Sequence, residues 1–197
     1  MKKILILGAN GQIARFAIDL FLQTSDAQLT LYLRNAKRLR QLESDRVRVV
    51  EGDVLDQARL EEAMAGQDVV YANLAGKLEH QATNIVRAME KRGLRRLIFI
   101  SSMGIYDEVP GERYSSILDP YRKAAGIIEH SDLDYAILRP AWLNNRDEID
   151  YETTAKGEPF RNPSAVVSRK SVADLVVKLA MHPVDSELRL SLGINKS

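Results

Sequence analysis

Apolar and polar positions along the chain follow two periods that take turns. Short unbroken apolar runs, ILIL at 4–7, VVYA at 69–72 and LIFI at 97–100, read as strands buried on both faces. Between them, apolar residues recur at helical spacing, as in Ile13, Phe16, Ala17, Leu20 and Phe21. The pattern predicts strands at about 2–7, 28–33, 47–51, 68–72, 97–101, 135–138 and 188–192. Helices are predicted at 11–23, at 55–65, at 78–91 with Gly93 as C-cap, and at 120–130 with Pro120 in the first turn, where proline is tolerated. A short basic helix should start at Asn35, and a last helix should run from Ser168 or Ser171 to Met181. A looser stretch reaches Leu118, and an irregular one spans about 140–167. Such alternation is the α/β class: one domain over 1–197, with a parallel sheet and helices on both faces. Long loops in compact domains are often functional, so 140–167 is the expected substrate-covering region.

Composition narrows the class. The 197 residues suit a single core, and 45% hydrophobic with 28% charged residues is ordinary for a globular domain. A net charge of +1 offers nothing to nucleic acid or an anionic membrane. The absence of cysteine removes disulfides, thiol catalysis and cysteine metal sites, and fits a reducing cytoplasm. The apolar run at the start is too short for a signal peptide or a membrane span. The expected partner is a small-molecule substrate, and the expected state a monomer or homodimer. No metal is expected, since His80, His130 and His182 lack ligand spacing. The acidic stretch RDEIDYE at 146–152 reads as a solvated loop rather than a calcium loop, with no fixed glycine or ligand spacing.

The most informative stretch is ILILGANGQIA at 4–14. Gly8 allows a sharp turn after the strand, Gly11 allows backbone to approach a pyrophosphate, and Ala14 is small enough for helix to pack on strand. The N–H groups at the helix start would face the anion, so Gly8, Ala9, Asn10, Gly11, Gln12 and Ile13 form a candidate dinucleotide site. That makes the fold a Rossmann-type doubly wound sheet, in which ligands lie beyond the carboxyl ends of the strands. Past the second strand stands Arg34, 20 residues beyond Ala14, followed by Lys37 and Arg38. No acid occurs from Gln28 to Leu42 to bind a ribose 2′-hydroxyl, whereas an arginine suits a 2′-phosphate. NADP is therefore the expected cofactor, with NADPH preferred over NADH, and Arg15 could add to the same phosphate. Past the third strand come Gly52, Asp53 and Val54. Asp53 could accept from the adenine amino group, cap the next helix, or do both. Past the fourth come Asn73, Leu74, Ala75 and Gly76, where a cofactor could lie against backbone, or which form an ordinary loop.

GANGQIA, Arg34, GDV at 52–54, ISSMGIY at 100–106, Lys123 and LRPAWL at 138–143 together resemble the short-chain dehydrogenase/reductase superfamily. The nearest part of it is the small atypical branch of NmrA-like NAD(P)-binding proteins, whose late helix is similar to SRKSVADLVVKLAMHP at 168–183. The resemblance implies a domain binding NADPH or NADH, with active groups past strands five and six. It implies that Ser102 is the catalytic serine, hydrogen-bonded to a substrate carbonyl, with Ser101 close to the cofactor. Lys123 falls on the lysine that binds the nicotinamide ribose, and Pro140 and Ala141 fall where backbone passes the carboxamide. The superfamily's catalytic tyrosine, four residues before the lysine, is replaced by Asp119. Tyr121 lies two before Lys123 and, at about 100° per residue, faces nearly the other way. Tyr106 and Tyr114 lie in the preceding loop. An ammonium near Asp119 favours its ionised form, so Asp119 is not the expected general acid. Members lacking the tyrosine include flavin and biliverdin reductases and dinucleotide sensors without turnover. The expectation is an NADPH-dependent reductase of a small conjugated, quinone-like or flavin-like acceptor, with the proton coming from solvent or a loop tyrosine. The alternatives are a non-catalytic NAD(P) sensor and, below it, a nucleotide-sugar epimerase or dehydratase. Trp142, just past strand six, either lines the substrate pocket or belongs to the core.

Overall fold

A computed structural model describes residues 1–111, 113–182 and 188–197. The apolar runs become strands β1 (Lys3–Leu7), β2 (Gln28–Leu33), β3 (Val47–Glu51), β4 (Val69–Ala72), β5 (Arg96–Ile100) and β6 (Asp134–Pro140). Helices α1 (Gln12–Thr24), α2 (Gln57–Met64), α3 (Leu78–Arg92) and α4 (Asp119–Glu129) connect them. With β7 (Leu143–Asn144), β8 (Glu152–Ala155), β9 (Val167–Ser168), α5 (Arg169–Met181) and β10 (Leu190–Asn195) they complete the chain. The main sheet has eight strands in the order β3-β2-β1-β4-β5-β6-β10-β8, all parallel except β8, which pairs antiparallel with β10 at the edge. It is the α/β doubly wound sheet that the alternation predicts. The order turns back between β1 and β4, where ligands of such sheets bind.

The two-residue period of a strand splits the core in two. Ile4 and Ile6 point to the face covered by α1 and α5. Leu5 and Leu7 point to the face covered by α2, α3 and α4. Helix ends follow their chemistry: Asp56 caps α2 by accepting from the Arg59 N–H at 3.1 Å, and Ser168 caps α5 by accepting from the Ser171 N–H. Gly93 closes α3 in the left-handed conformation, with φ 69°. No helix of the described residues is long and apolar enough to cross a membrane.

Three local expectations need correction. The basic helix at Asn35 is two successive 3-10 turns, Ala36–Arg38 and Arg40–Leu42, pinned by buried Ala36 and Leu39 and too short to propagate an α-helix. The stretch 140–167 is not uninterrupted: β7 pairs with β9 and β8 extends the main sheet. The last strand begins two residues later than predicted and runs to Asn195, because its register with β6 is set by Leu190 opposite Ala136. Pro183, the end of the stretch similar to the atypical branch's late helix, lies outside the described residues.

One polar node fixes the carboxyl end of β6. Arg139 is fully buried and paired with Glu108, which is 5% exposed. The guanidinium also donates to the carbonyl of Thr154 and to Ser191, and sits 5.1 Å from the Tyr106 ring centre and 5.6 Å from that of Phe160. The Glu108 carboxylate in turn accepts from the N–H groups of Gly104 and Tyr106. One ion pair thus joins β6, the loop after β5, β8 and β10. Removing one partner of a buried pair leaves the other charge uncompensated, at a cost of about 3–5 kcal/mol. Glu108→Ala should therefore lower Tm by about 10 °C at this chain length. A melting temperature within two or three degrees of wild type, read by circular dichroism, would contradict this assignment.

Candidate functional site

The turn after β1 is built by two glycines against one asparagine. Gly8 has φ 75°, and a Cβ there would collide with the backbone carbonyl of Asn73, just past β4. A Cβ on Gly11 would collide with the Asn73 side-chain amide. The Gly11 N–H donates to the Gly8 carbonyl at 2.8 Å, and the Asn73 N–H to the Leu7 carbonyl at 2.9 Å, so the turn and the β4 loop lock together. A side chain at position 11 would thus meet the Asn73 amide as well as the expected pyrophosphate. α1 then starts with no side-chain cap and no acid in its first turn, which leaves its leading N–H donors for an anion.

Two cavities meet at this point. The first, about 390 Å3, runs from Gly8, Asn10 and Gly11 past Arg34, Asn35 and Arg38 to Asp53 and Val54, and includes Leu74 and Ala75. Tyr32 forms its floor. Burial, with the nearby Asp56 and Asp53 charges, pushes the Tyr32 hydroxyl up to about 12, so it stays protonated and donates to the Asp53 carbonyl at 3.0 Å. The Tyr32 ring lies where a Cβ on Gly52 would sit, which holds the 52–54 loop down on the sheet. Asp53 does not cap α2; Asp56 does, and Asp53 accepts from the Leu55 N–H at 2.9 Å. Arg15 donates to Asn10 at 2.6 Å across the mouth of the turn.

The second cavity, about 400 Å3, shares Asn73 and Leu74 with the first and brings Ile13 together with Ser101, Ser102, Pro140 and Ala141. Trp142, 67% exposed, lines it and is not a core residue. The Ser102 hydroxyl donates to the Met103 carbonyl at 3.1 Å. The Ser101 hydroxyl is buried in the wall with no hydrogen-bond partner among the described residues. Ala9 lies in the core, Gln12 is exposed at the start of α1, and Gly76, with φ 89°, turns the chain into α3; none of these three lines either cavity. Lys123 does not join Ser102. Lys123 is 59% exposed, and its ammonium pairs at 3.0 Å with Glu79, on the first turn of α3. The α4 residue in the second cavity is Tyr121. The two loop tyrosines are engaged elsewhere. Tyr106 donates to Glu129 at 2.6 Å, its pKa raised by burial first and by that carboxylate second, and Tyr114 donates to Asp119 at 2.7 Å. The acids of 146–152 are tied to basic residues: Asp147 to Lys170, Glu148 and Asp150 to Lys196, and Glu152 to Arg161. Sequence reasoning passed over Tyr32, Asn35 and Arg169, which also line the cavities, because nothing in local spacing marks them.

A site of this shape, split between a basic half and a hydroxyl-rich half at the switch point of a parallel sheet, is that of a dinucleotide-binding protein. The signature of the NAD(P)H-binding family matches residues 8–183. The chain belongs to that family. It is 43% identical to a Rossmann-fold NAD(P)-binding family protein of Shigella flexneri, over 100% of this chain and 94% of that one, with a TM-score of 0.86. It is 30% identical to a short-chain dehydrogenase/reductase of Veillonella parvula solved in complex with NADP, over 99% and 94% of the two chains, with a TM-score of 0.90. Among curated proteins it is 26% identical over 191 residues to the uncharacterized sugar epimerase YhfK of Bacillus subtilis, covering 89% of this chain and 86% of that protein. These likenesses agree with the resemblance to the atypical short-chain dehydrogenase/reductase branch.

The two glycines should fail differently. Gly8→Ala sets a side chain against backbone at positive φ, and should cost about 3 kcal/mol or more of stability. Gly11→Val displaces chiefly the end of the Asn73 side chain, with the Gly8 carbonyl 3.2 Å from the new Cβ, and should leave the fold in place while weakening NADPH binding by about a hundredfold. Paired measurements of Tm and of NADPH Kd by calorimetry check this. Wild-type affinity in Gly11→Val would contradict the site.

Proposed function

We propose that the chain is an NADPH-dependent reductase of a small conjugated acceptor, quinone-like or flavin-like. The observation that carries this reading is the pair of cavities joined at Asn73 and Leu74, one basic and one lined by hydroxyl and aromatic side chains. The adenosine half of the dinucleotide belongs in the first, with Asp53 and Val54 near the base and its 2′-phosphate on Arg34, supported by Arg38. Gly11, Gln12 and Ile13 offer backbone to the pyrophosphate, with Gly8, Ala9 and Asn10 shaping the turn beneath. Leu74, Ala75 and Gly76 carry the chain past the cofactor's middle. Ser101, Pro140 and Ala141 frame the nicotinamide, and residues 140–167 form the substrate cover.

When bound, the cofactor supplies a hydride, two electrons with one proton, and the reduced acceptor takes up one further proton. Hydride transfer needs mainly apposition, which the two walls of the second cavity provide. Ser102 donates a hydrogen bond to the acceptor carbonyl once its hydroxyl turns away from the Met103 carbonyl. Tyr121, the α4 residue that lines the cavity, is assigned the proton, in place of the engaged loop tyrosines. Lys123, held by Glu79, is left a role in retaining the ribose rather than in proton transfer, and Asp119 has none. An epimerase reading draws on the likeness to YhfK, but the missing catalytic tyrosine argues against it.

NADPH should bind at least about tenfold more tightly than NADH, since a charge-assisted contact to a 2′-phosphate contributes about 1.5–3 kcal/mol, and Arg34→Ala should erase the difference. Equal affinities in the wild type would reduce Arg34 to a surface charge. Stopped-flow NADPH oxidation with riboflavin and 1,4-naphthoquinone tests the chemistry. Tyr121→Phe should slow turnover by about a hundredfold, Ser102→Ala should slow it less, and Asp119→Asn should leave most of it. A dead Asp119→Asn would make Asp119 the working acid. A wild type that binds NADPH and reduces nothing would move the chain to the sensors.

A further inference from the structure

The second cavity holds one charged side chain that the reductase reading does not use. Arg169, the first residue of α5, lines it together with Ser101 and Ser102. Its only hydrogen bond among the described residues is to a neutral group, the Asn145 amide oxygen at 2.9 Å. No acid of the described residues lies within ion-pair distance of it, although its neighbour Lys170 pairs with Asp147 at 2.6 Å. No carboxylate lines the cavity either. A guanidinium at the wall of a pocket, oriented by an amide and left without a counter-charge, presents its remaining donors to an anion. Beside it are two aromatic rings, exposed Trp142 and Tyr121, and the aliphatic Leu143.

We infer that this cavity selects a planar conjugated substrate that carries an anionic group, with Arg169 pairing that group while Trp142 covers the ring plane. The inference rests on the reading of the cavity as the acceptor site. Arg169 is a specificity residue here and takes no part in electron or proton transfer. The cofactor's own phosphates belong to Gly11–Ile13 and Arg34, so removing Arg169 should leave the dinucleotide in place.

FMN and riboflavin make the matched probes, since they share one ring and differ by a phosphate. Trp142 is the single tryptophan of the chain, so its fluorescence reports binding in this cavity without turnover. With NADP present, wild type should bind FMN about tenfold more tightly than riboflavin. Arg169→Ala should bring the two to equality by weakening FMN alone, and Arg169→Lys should restore part of the preference. NADPH Kd and Tm should stay at wild-type values in both variants. Equal wild-type affinity for the two flavins overturns the inference. So does an Arg169→Ala variant that weakens both flavins equally or weakens NADPH instead. A preference that Arg169 controls, in a protein that reduces neither flavin nor quinone, would support anion selection while removing the reductase reading. Brisk reduction of both flavins with equal KM would do the reverse.

Discussion

The closeness of two backbones at the switch point governs this molecule. β1 and β4 are neighbours, and the chain leaves them in opposite directions. Asn73 sits in the gap. Its carbonyl occupies the space of a Gly8 Cβ, its amide occupies that of a Gly11 Cβ, and its N–H holds the end of β1. That contact sets the angle at which α1 enters and so aims the helix start into the crevice. It also makes Asn73 the common wall of both cavities. A family built to bind NAD(P)H needs such a crevice, and here a single asparagine spaces it.

The far end of the site is fixed by different means. β6 ends at Pro140, with Ala141 next, and neither offers a polar side chain that could anchor it. Their position is set instead by the Ala141 N–H donating to the Ile194 carbonyl and the Met103 N–H donating to the Pro140 carbonyl. Beneath them, the buried Arg139–Glu108 pair ties the same strand to the loop after β5 and to the edge strands. Such a pair is poor evidence for net stability against an apolar replacement, but it enforces one arrangement because any other leaves a charge stranded. The second cavity is thus positioned by polar specificity, and the first by steric exclusion.

Much of this was legible in the residues. Strands buried on both faces leave long apolar runs, so β1, β2, β4 and β5 announce themselves, and the glycine turn follows directly from β1. Arg34 and the 52–54 loop could be placed because, in such sheets, whatever follows a strand lies at the ligand edge. The rest depended on contacts between distant segments. β7, β8 and β9 are only two to four residues long, too short for a period to show, and exist because partners elsewhere pair with them. Sequence spacing shows that Tyr121 and Lys123 face different ways, but not which of them faces the cavity. That is decided by how α4 packs against α3, whose first turn offers Glu79 to Lys123. Arg169 lies some 30 residues from Pro140 and meets it only because α5 starts beside β7 and β9.

The central claim is that one dinucleotide spans both cavities, bent past Asn73. A crystal structure of the chain grown with NADP tests it directly. The account predicts the adenosine 2′-phosphate at Arg34, the pyrophosphate over Gly11 to Ile13, and the nicotinamide between Ser101 and Pro140–Ala141, with its face toward Tyr121 and Trp142. A dinucleotide held in the first cavity alone, its nicotinamide turned out to solvent, would contradict it.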